Sequence, residues 1–289
     1  MIVPEATRHI TNRLKAIYDE AEASNISDWV IENLTGVKRT ARFINKSRSI
    51  TPEQAGQLEH YITRLLMHEP VQYVLNEAWF CGLKFYVDKN VLIPRPETEE
   101  LAEWIISDCK FPIDTLSILD IGSGSGCIPI ALKRRLGKAE VWSCDISPDA
   151  LQVAKRNAAT LGVDVNFTEL DFLNKERRDK LPWFDIIVSN PPYIPETDKK
   201  KMRLNVLNHE PDTALFVPDN DALVFYKAIA DFGKKHLNNN GILYMEINES
   251  LGRETASIFQ INGYKTDLKK DMQGKKRMLK ARHIIKNGE

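Results

Sequence analysis

Two short segments carry residue types whose order suggests chemistry. The first is Asp120-Ile121-Gly122-Ser123-Gly124-Ser125-Gly126-Cys127. Closely spaced glycines allow a tight turn and let a ligand approach the main chain without meeting a Cβ. A helix that follows at once turns its free N–H groups and positive dipole end toward that ligand. The spacing is G-x-G-x-G. The dinucleotide fingerprint asks for Gly or Ala three residues after the second glycine, where this chain has Cys127. Asp120, two residues before the loop, would repel a pyrophosphate and suits a ligand bearing an ammonium or sulfonium. The second segment is Asn190-Pro191-Pro192-Tyr193. Consecutive prolines fix φ and remove backbone donors. The Asn190 side-chain oxygen and the Pro191 carbonyl can then both accept from one planar NH₂ group, with Tyr193 offering a flat face to the conjugated system behind it. A nitrogen conjugated to a π-system is a poor nucleophile. Two aligned acceptors hold its N–H bonds and raise its electron density as a methyl group arrives in line. No strong general base is required. Taken alone, the same four residues also suit a turn that ends a strand.

From about residue 115 the pattern alternates between strand and helix. Strands are expected at 116–121, 140–145, 163–169, 184–190, 241–247, 264–268 and 278–284, with helices at 127–136, 148–161, 222–237 and 249–260. Such alternation implies a mostly parallel sheet covered on both faces. Its ligands sit outside the carboxyl ends of the strands. The glycine loop follows the first strand. Asp145 ends the second, where its carboxylate can accept both hydroxyls of a ribose or cap the helix opening at Pro148. Asp171-Phe172 ends the third, a carboxylate and an aromatic suited to the amino group of a stacked adenine. The Asn-diproline segment ends the fourth. Together these describe a pocket for a cationic nucleoside.

Upstream, residues 1–75 read as helical. Leu14, Ile17, Tyr18 and Ala21 recur at helical spacing, as do Leu58, Tyr61, Ile62, Leu65 and Leu66. Thr51-Pro52-Glu53-Gln54 is a start signal with a capping box. The basic residues here (Arg8, Arg13, Lys15, Lys38, Arg39, Arg42, Lys46, Arg48, Arg64) equal the acids in number, which suits contact with a protein better than with a polyanion. A lid that adds stability is the alternative. Phe80, Leu83, Phe85 and Val87 around Cys81-Gly82 read as a short hairpin, and Ile93-Pro94-Arg95-Pro96-Glu97-Thr98-Glu99 leads into a helix ending near Asp108.

Composition bounds the rest. At 289 residues, with 43% hydrophobic and 28% charged residues, the chain is globular and long enough for about two domains. Forty basic residues balance forty acidic ones, so no overall charge draws it to nucleic acid. Cys81, Cys109, Cys127 and Cys144 form no CxxC pair and are read as reduced core thiols, with no metal site. Met1-Ile2-Val3-Pro4-Glu5 has an early acid and no long apolar run, unlike a signal peptide. No apolar stretch reaches the roughly 18 residues of a membrane span.

The glycine loop with Asp145 resembles the motifs of class I S-adenosylmethionine (SAM) methyltransferases. The Asn-Pro-Pro-Tyr signature is shared by methyltransferases acting on adenine N6, on guanine N2 in ribosomal RNA and on glutamine side-chain nitrogen, and does not discriminate among them. Over nearly its whole length, however, the chain resembles the PrmC/HemK family, which methylates the glutamine of the Gly-Gly-Gln motif in class I peptide-chain release factors. The resemblance rests on Glu69-Pro70-Val71-Gln72-Tyr73-Val74, Val91-Leu92-Ile93-Pro94-Arg95-Pro96-Glu97-Thr98-Glu99, the loop at 120–126, Asp145-Ile146-Ser147-Pro148, Asn190-Pro191-Pro192-Tyr193, Glu210-Pro211 with Ala214-Leu215, and Lys270-Asp271 with Gly274 and Arg277.

The resemblance implies an α/β fold. It consists of a class I methyltransferase sheet of seven strands, the last antiparallel, with a small N-terminal helical bundle. It implies a release-factor-recognition domain at 1–75, a hairpin linker at 76–95 and a SAM-binding domain at 96–289. SAM would be held by Gly122, Ser123, Gly124, Ser125, Gly126, Asp145, Phe172 and Asn190. The substrate glutamine would meet Asn190, Pro191, Pro192 and Tyr193, with Asn190, Pro191 and Tyr193 catalytic. Arg95-Pro96-Glu97 would lie near the mouth of the site or simply start a helix. The implied enzyme is cytoplasmic and modulates translation termination, with release factors as partners, and no membrane or direct nucleic-acid binding is expected. Three departures stand out: Asn248 where the family usually has Gly, Asp212 in place of Arg, and Val217-Pro218-Asp219-Asn220-Asp221-Ala222 in place of a glycine-rich stretch. Competing readings are a nucleic-acid amino-methyltransferase, for which Lys199-Lys200-Lys201 and Lys275-Lys276-Arg277 are the local basic runs, and a SAM-binding partner protein without catalysis.

Overall fold

The computed structural model describes residues 1–42, 47–109 and 113–283. Lys46 and Ile284, and the side chain of Lys201, lie outside the described residues. Contacts divide the chain into two compact units, one of Met1–Glu77 with Arg203–His209 and one of Ala78–Met202 with Glu210–Glu289. The membership of Arg203–His209 in the first unit has no signal in the sequence.

In the first unit, helices Val3–Leu14, Glu20–Thr35 and Pro52–Leu66 bury a shared core that includes Ile10, Val30, Ile31, Leu58 and Ile62. The expected capping box is reciprocal: Gln54 N donates to Thr51 Oγ1 at 3.2 Å, and Thr51 N donates to Gln54 Oε1 at 3.0 Å. The expectation that Leu14, Ile17, Tyr18 and Ala21 share one helix is corrected. The first helix stops at Leu14, and Asp19 starts the next by accepting from Glu22 N at 2.8 Å. A new helix starts at this point, and its N-cap side chain satisfies one of the N–H groups that a helix start leaves open. Several basic residues are committed within the unit: Arg39 and Arg42 to Asp28, and Arg64 to Glu69.

The second unit contains strands β1 (Ala78–Phe80), β2 (Leu83–Phe85), β3 (Ser117–Ile121), β4 (Glu140–Asp145), β5 (Asn166–Glu169), β6 (Phe184–Ser189), β7 (Ile194–Pro195), β8 (Phe216–Val217), β9 (Leu237–Glu246), β10 (Tyr264–Lys270) and β11 (Lys276–His283). β1 and β2 form the expected hairpin around Cys81-Gly82, and β7 pairs with β8 in parallel. The main sheet has seven strands in the order β10-β11-β9-β6-β3-β4-β5. The strands from β9 to β5 are parallel, while β11 runs antiparallel to both β9 and β10. Central strands β3 and β6 are buried nearly throughout, as both faces of a parallel sheet demand. One face is covered by helices Val224–His236 and Gly252–Ile261, which contribute Tyr226, Phe232 and Phe259. The other is covered by Pro96–Asp108 and Cys127–Leu136 through Leu101, Ile105, Ile130 and Leu132, and the hairpin adds Phe80 and Phe85 to that same core.

Helices Cys127–Leu136 and Pro148–Leu161 match expectation residue for residue. β9 begins earlier than expected because Leu237 pairs with Phe184 beyond the polar Asn238-Asn239-Asn240 run. The helix expected at 249–260 is a 3₁₀ turn, Glu249–Leu251, followed by Gly252–Ile261, since Asn248 caps the turn by accepting from Ser250 N at 2.9 Å. The chain leaves β3 toward β4 on one side, and β6 lies on the other. The crevice at the carboxyl ends of β3 and β6 is therefore the topological switch point, where ligands of open α/β sheets bind.

Candidate active site

The glycine loop leaves β3 pinned to its neighbour. Gly122 N and Ser123 N both donate to Cys144 O, at 2.8 and 3.0 Å. Gly126 then caps helix Cys127–Leu136 at φ +80°, and a Cβ there would stand 2.9 Å from Ile130 Cδ1 and 3.1 Å from Ala154 Cβ. Only a residue without a side chain fits both that dihedral and that packing. A third tie was invisible in the sequence. Asn157, buried on helix Pro148–Leu161, accepts from Tyr86 N at 2.8 Å and donates to Tyr86 O and Ser125 O, both at 2.9 Å.

Asp120 does not play the part expected of it. It lies fully buried beneath the loop and accepts from Ser143 Oγ at 2.6 Å, and Ser143 in turn shares a 2.6 Å hydrogen bond with Ser123. Burial pushes its carboxyl up to about 8, and it is not among the residues lining the cavity, so it does not face the ligand space as expected. Asp120 is the last residue but one of a central parallel strand buried on both faces, and its side chain is enclosed with the core.

Asp145, at the end of β4, faces the crevice. Its Oδ2 accepts from Gly124 N and its Oδ1 from Ser147 N, both at 2.9 Å. Helix Pro148–Leu161 is capped by Ser147, which accepts from Ala150 N at 3.2 Å, so Asp145 is not the cap. Burial raises the Asp145 pKa, and the hydrogen bonds from Ser147, Gly124 and Ile146 oppose that rise. Each oxygen retains lone-pair capacity for a further donor, as a pair of ribose hydroxyls requires. After β5, Asp171 and Phe172 both reach the crevice, and the Phe172 ring rests edge-on against Phe232 at 5.2 Å.

Asn190 follows β6, and two contacts bring this corner to the glycine loop. Ser189 Oγ donates to Ile121 O at 2.7 Å, and a Cβ on Gly122 would stand 3.9 Å from Asn190 O. The Asn190 amide is anchored on one side: Nδ2 donates to Thr98 Oγ1 at 3.1 Å. Thr98 donates to Glu246 Oε2 at 2.6 Å, and Tyr193 donates to Glu246 Oε1 at 3.1 Å. Burial raises the Glu246 pKa, opposed by those two hydroxyls and by Arg277. Asn248, one of the departures noted above, donates through Nδ2 to Tyr193 O at 3.2 Å and so supports the corner from below.

Around these groups lies a cavity of about 390 Å³. Of the residues expected to bind, Gly122, Ser123, Gly124, Ser125, Asp145, Phe172, Asn190, Pro191 and Pro192 line it. Gly126 and Tyr193 are not among the lining residues: Gly126 sits against Ala154, and the Tyr193 hydroxyl turns to Glu246. Of Arg95-Pro96-Glu97, Arg95 lines the cavity and precedes helix Pro96–Asp108, while Pro96 and Glu97 are not among the lining residues. The Arg95 guanidinium meets Glu210, whose side chain is 1% exposed, at 2.6 and 2.7 Å, joining the Pro94-Arg95 and Glu210-Pro211 rims. Asp212, the second departure, pairs with Lys199 on the surface. Sequence reasoning missed Thr98 and Glu246. The available signal was an acid closing the run Gly241-Ile242-Leu243-Tyr244-Met245, and a hydroxyl inside the Ile93–Glu99 stretch.

The donor set fits SAM. The volume falls within the roughly 300–1,000 Å³ of small-molecule sites, the walls are mainly apolar, and the carboxylates of Asp145 and Asp171 among them can accept from hydroxyl and amino groups. Comparison with known proteins agrees. Residues 105–215 match the methyltransferase small domain, and residues 5–75 match the PrmC N-terminal domain. The chain is 43% identical to the release factor glutamine methyltransferase of Flavobacterium psychrophilum, covering 97% of this chain and 99% of that protein. It is 40% identical to that of Bacteroides thetaiotaomicron, covering 95% and 98%. A solved methyltransferase from Pyrococcus furiosus shares the fold, with a TM-score of 0.51 at 14% identity over 81% of this chain and 100% of that one. The switch-point crevice, the anchored Asn-diproline corner and near-full-length similarity converge: this chain belongs to the release factor glutamine methyltransferase family.

Proposed function

We propose that the protein transfers a methyl group from SAM to N5 of the side-chain amide in the Gly-Gly-Gln motif of class I peptide-chain release factors, modulating translation termination. The observation that carries this reading is the Asn190 carboxamide, held through Nδ2 by Thr98 at the rim of a nucleoside-sized cavity, with Oδ1 left as acceptor. When bound, SAM supplies an electrophilic methyl group on a sulfonium. Gly122, Ser123, Gly124 and Ser125 would form the wall against it, Asp145 would accept from ribose hydroxyls, and Phe172 would border the base. Asn190 Oδ1 and the Pro191 carbonyl accept from the substrate NH₂, which fixes the amide plane and concentrates electron density on nitrogen as it is alkylated. Those same acceptors pass the proton lost after transfer to water.

The first unit, in this reading, recognises the release factor, and the enzyme works in the cytoplasm, where translation factors are found. No helix among the described residues is long and apolar enough to cross a membrane. The test is incubation with methyl-labelled SAM and a purified release factor, followed by peptide mapping. Label on the Gly-Gly-Gln glutamine is the expected result, and it should fall about 10²–10³-fold in rate with Asn190→Ala, the loss typical of removing one group that stabilises a transition state. Label confined to RNA or DNA would refute the assignment.

A further inference from the structure

Asn190 presents a problem that its own position does not solve. A carboxamide has two nearly isosteric ends, one donating and one accepting, and a half-turn exchanges them. The proposed chemistry needs the oxygen toward the substrate nitrogen. Within the described residues, the amide's hydrogen-bond partner is Thr98 Oγ1, and a hydroxyl can donate or accept, so Thr98 alone tolerates either orientation.

Glu246 removes the ambiguity. Its side chain is buried, and its two oxygens meet two hydroxyls, Thr98 at 2.6 Å and Tyr193 at 3.1 Å. A carboxylate accepts and cannot donate. The single Thr98 proton is therefore committed to Glu246, and what Thr98 offers Asn190 is a lone pair. Only the NH₂ end of Asn190 can use it. The backbone keeps the chain of groups in place: Tyr226 OH donates to Glu246 O at 3.1 Å, and Glu246 pairs with Met278 across β9 and β11. Thr98 itself stands on the first turn of helix Pro96–Asp108 and lines the cavity beside Asn190.

We propose that Glu246, acting through Thr98, is a positioning residue that dictates which end of the Asn190 carboxamide faces the substrate nitrogen. The inference rests on the methyl-transfer reading above. It adds a polarity relay that starts at Glu246, a buried residue outside the cavity's lining.

The test compares the full-length protein with Thr98→Val, Thr98→Ser, Glu246→Gln and the Thr98→Val/Glu246→Gln double variant. Rates are measured with SAM and a release factor, and the Asn190 side-chain NH₂ is followed by amide-proton exchange in ¹⁵N-labelled protein. Thr98→Val should lower kcat about 10–100-fold while KM for the release factor moves less than about threefold, because orientation and not docking is lost. Thr98→Ser, which keeps the hydroxyl, should restore most of that loss. Glu246→Gln should lower kcat by itself and add nothing on the Thr98→Val background, since residues in series are not additive. One Asn190 amide proton should exchange slowly in the parent and quickly in Thr98→Val. Losses that multiply in the double variant would overturn the proposal, as would a fast-exchanging amide in the parent, which needs no variant to fold. Protection of the amide in a parent that never labels a release factor would support the relay and remove the substrate assignment.

Discussion

Replacing Gly126 by Ala tests whether the glycine loop is held by packing as well as by its dihedral angle. At φ +80° an L-residue is strained, at a cost of about 1–2 kcal/mol. The added methyl would also stand 2.9 Å from Ile130 Cδ1, 3.1 Å from Ala154 Cβ and 3.2 Å from Ala154 Cα. The first neighbour is the end of a flexible side chain and can give way. The others belong to the backbone region of helix Pro148–Leu161 and cannot yield alone, so overpacking adds about 1–3 kcal/mol. The total is about 2–5 kcal/mol, a large share of the 5–15 kcal/mol that typically separates folded from unfolded states. Gly162→Ala is the internal control. It sits at φ +65° with nothing within 4 Å, so it carries the dihedral cost without the crowding. Equilibrium urea unfolding of both variants isolates the packing contribution as their difference. SAM affinity should fall in Gly126→Ala and stay near parental in Gly162→Ala. If the two variants unfold at the same urea concentration, the contact with Ala154 does not constrain the loop and the reasoning fails.

Other expectations follow from buried charge. Asp120 has a folded pKa pushed up to about 8 against about 3.9 for an unfolded aspartate. The folded state binds the extra proton between those values, so stability falls as pH rises through that window. Asp120→Asn should remove the fall, its advantage over the parent growing from about pH 4 to 8 and then levelling, as read from urea midpoints across pH. Arg95→Ala should destabilise more than Glu210→Ala. The first leaves a carboxylate only 1% exposed without its partner, a loss of about 3–5 kcal/mol, whereas the second leaves a guanidinium one-third exposed that reaches water; equal losses would contradict this. Asn248→Gly should cost about 0.5–1.5 kcal/mol for each hydrogen bond removed, one to Tyr193 O and two from Ser250, through its N and Oγ, measurable by thermal unfolding, and an unchanged midpoint would mean the side chain does not support the corner.

The parallel sheet and its ligand edge were legible because periodicity, caps and apolar runs are local signals. Helix Pro148–Leu161 has in the fold the bounds expected of it, although its cap is Ser147 and not Asp145. The switch-point loops were legible for the same reason, since Gly122 and Asn190 follow directly on strands and Asp145 ends one. Direction of burial was not legible. Asp120 is one residue from the end of its strand, and which side of the sheet a side chain takes at that point depends on the neighbouring helices. Partners distant in sequence were equally hidden. Thr98 and Glu246 lie 148 residues apart, and nothing in either local pattern joins them. The break at Asp19 shows the opposite hazard, where an apolar spacing persists through a connection that a single cap interrupts.

Asn157 makes the hairpin and the glycine loop one mechanical object. A single side chain satisfies the main chain of Tyr86 on both its polar groups and still reaches Ser125 O. The loop is thereby set before any nucleoside arrives, so little ordering entropy opposes capture. Damage to the β1–β2 ribbon, outside the cavity's lining, should surface experimentally as weakened cofactor affinity, and a screen for binding defects will return substitutions there that no inspection of the pocket wall would nominate.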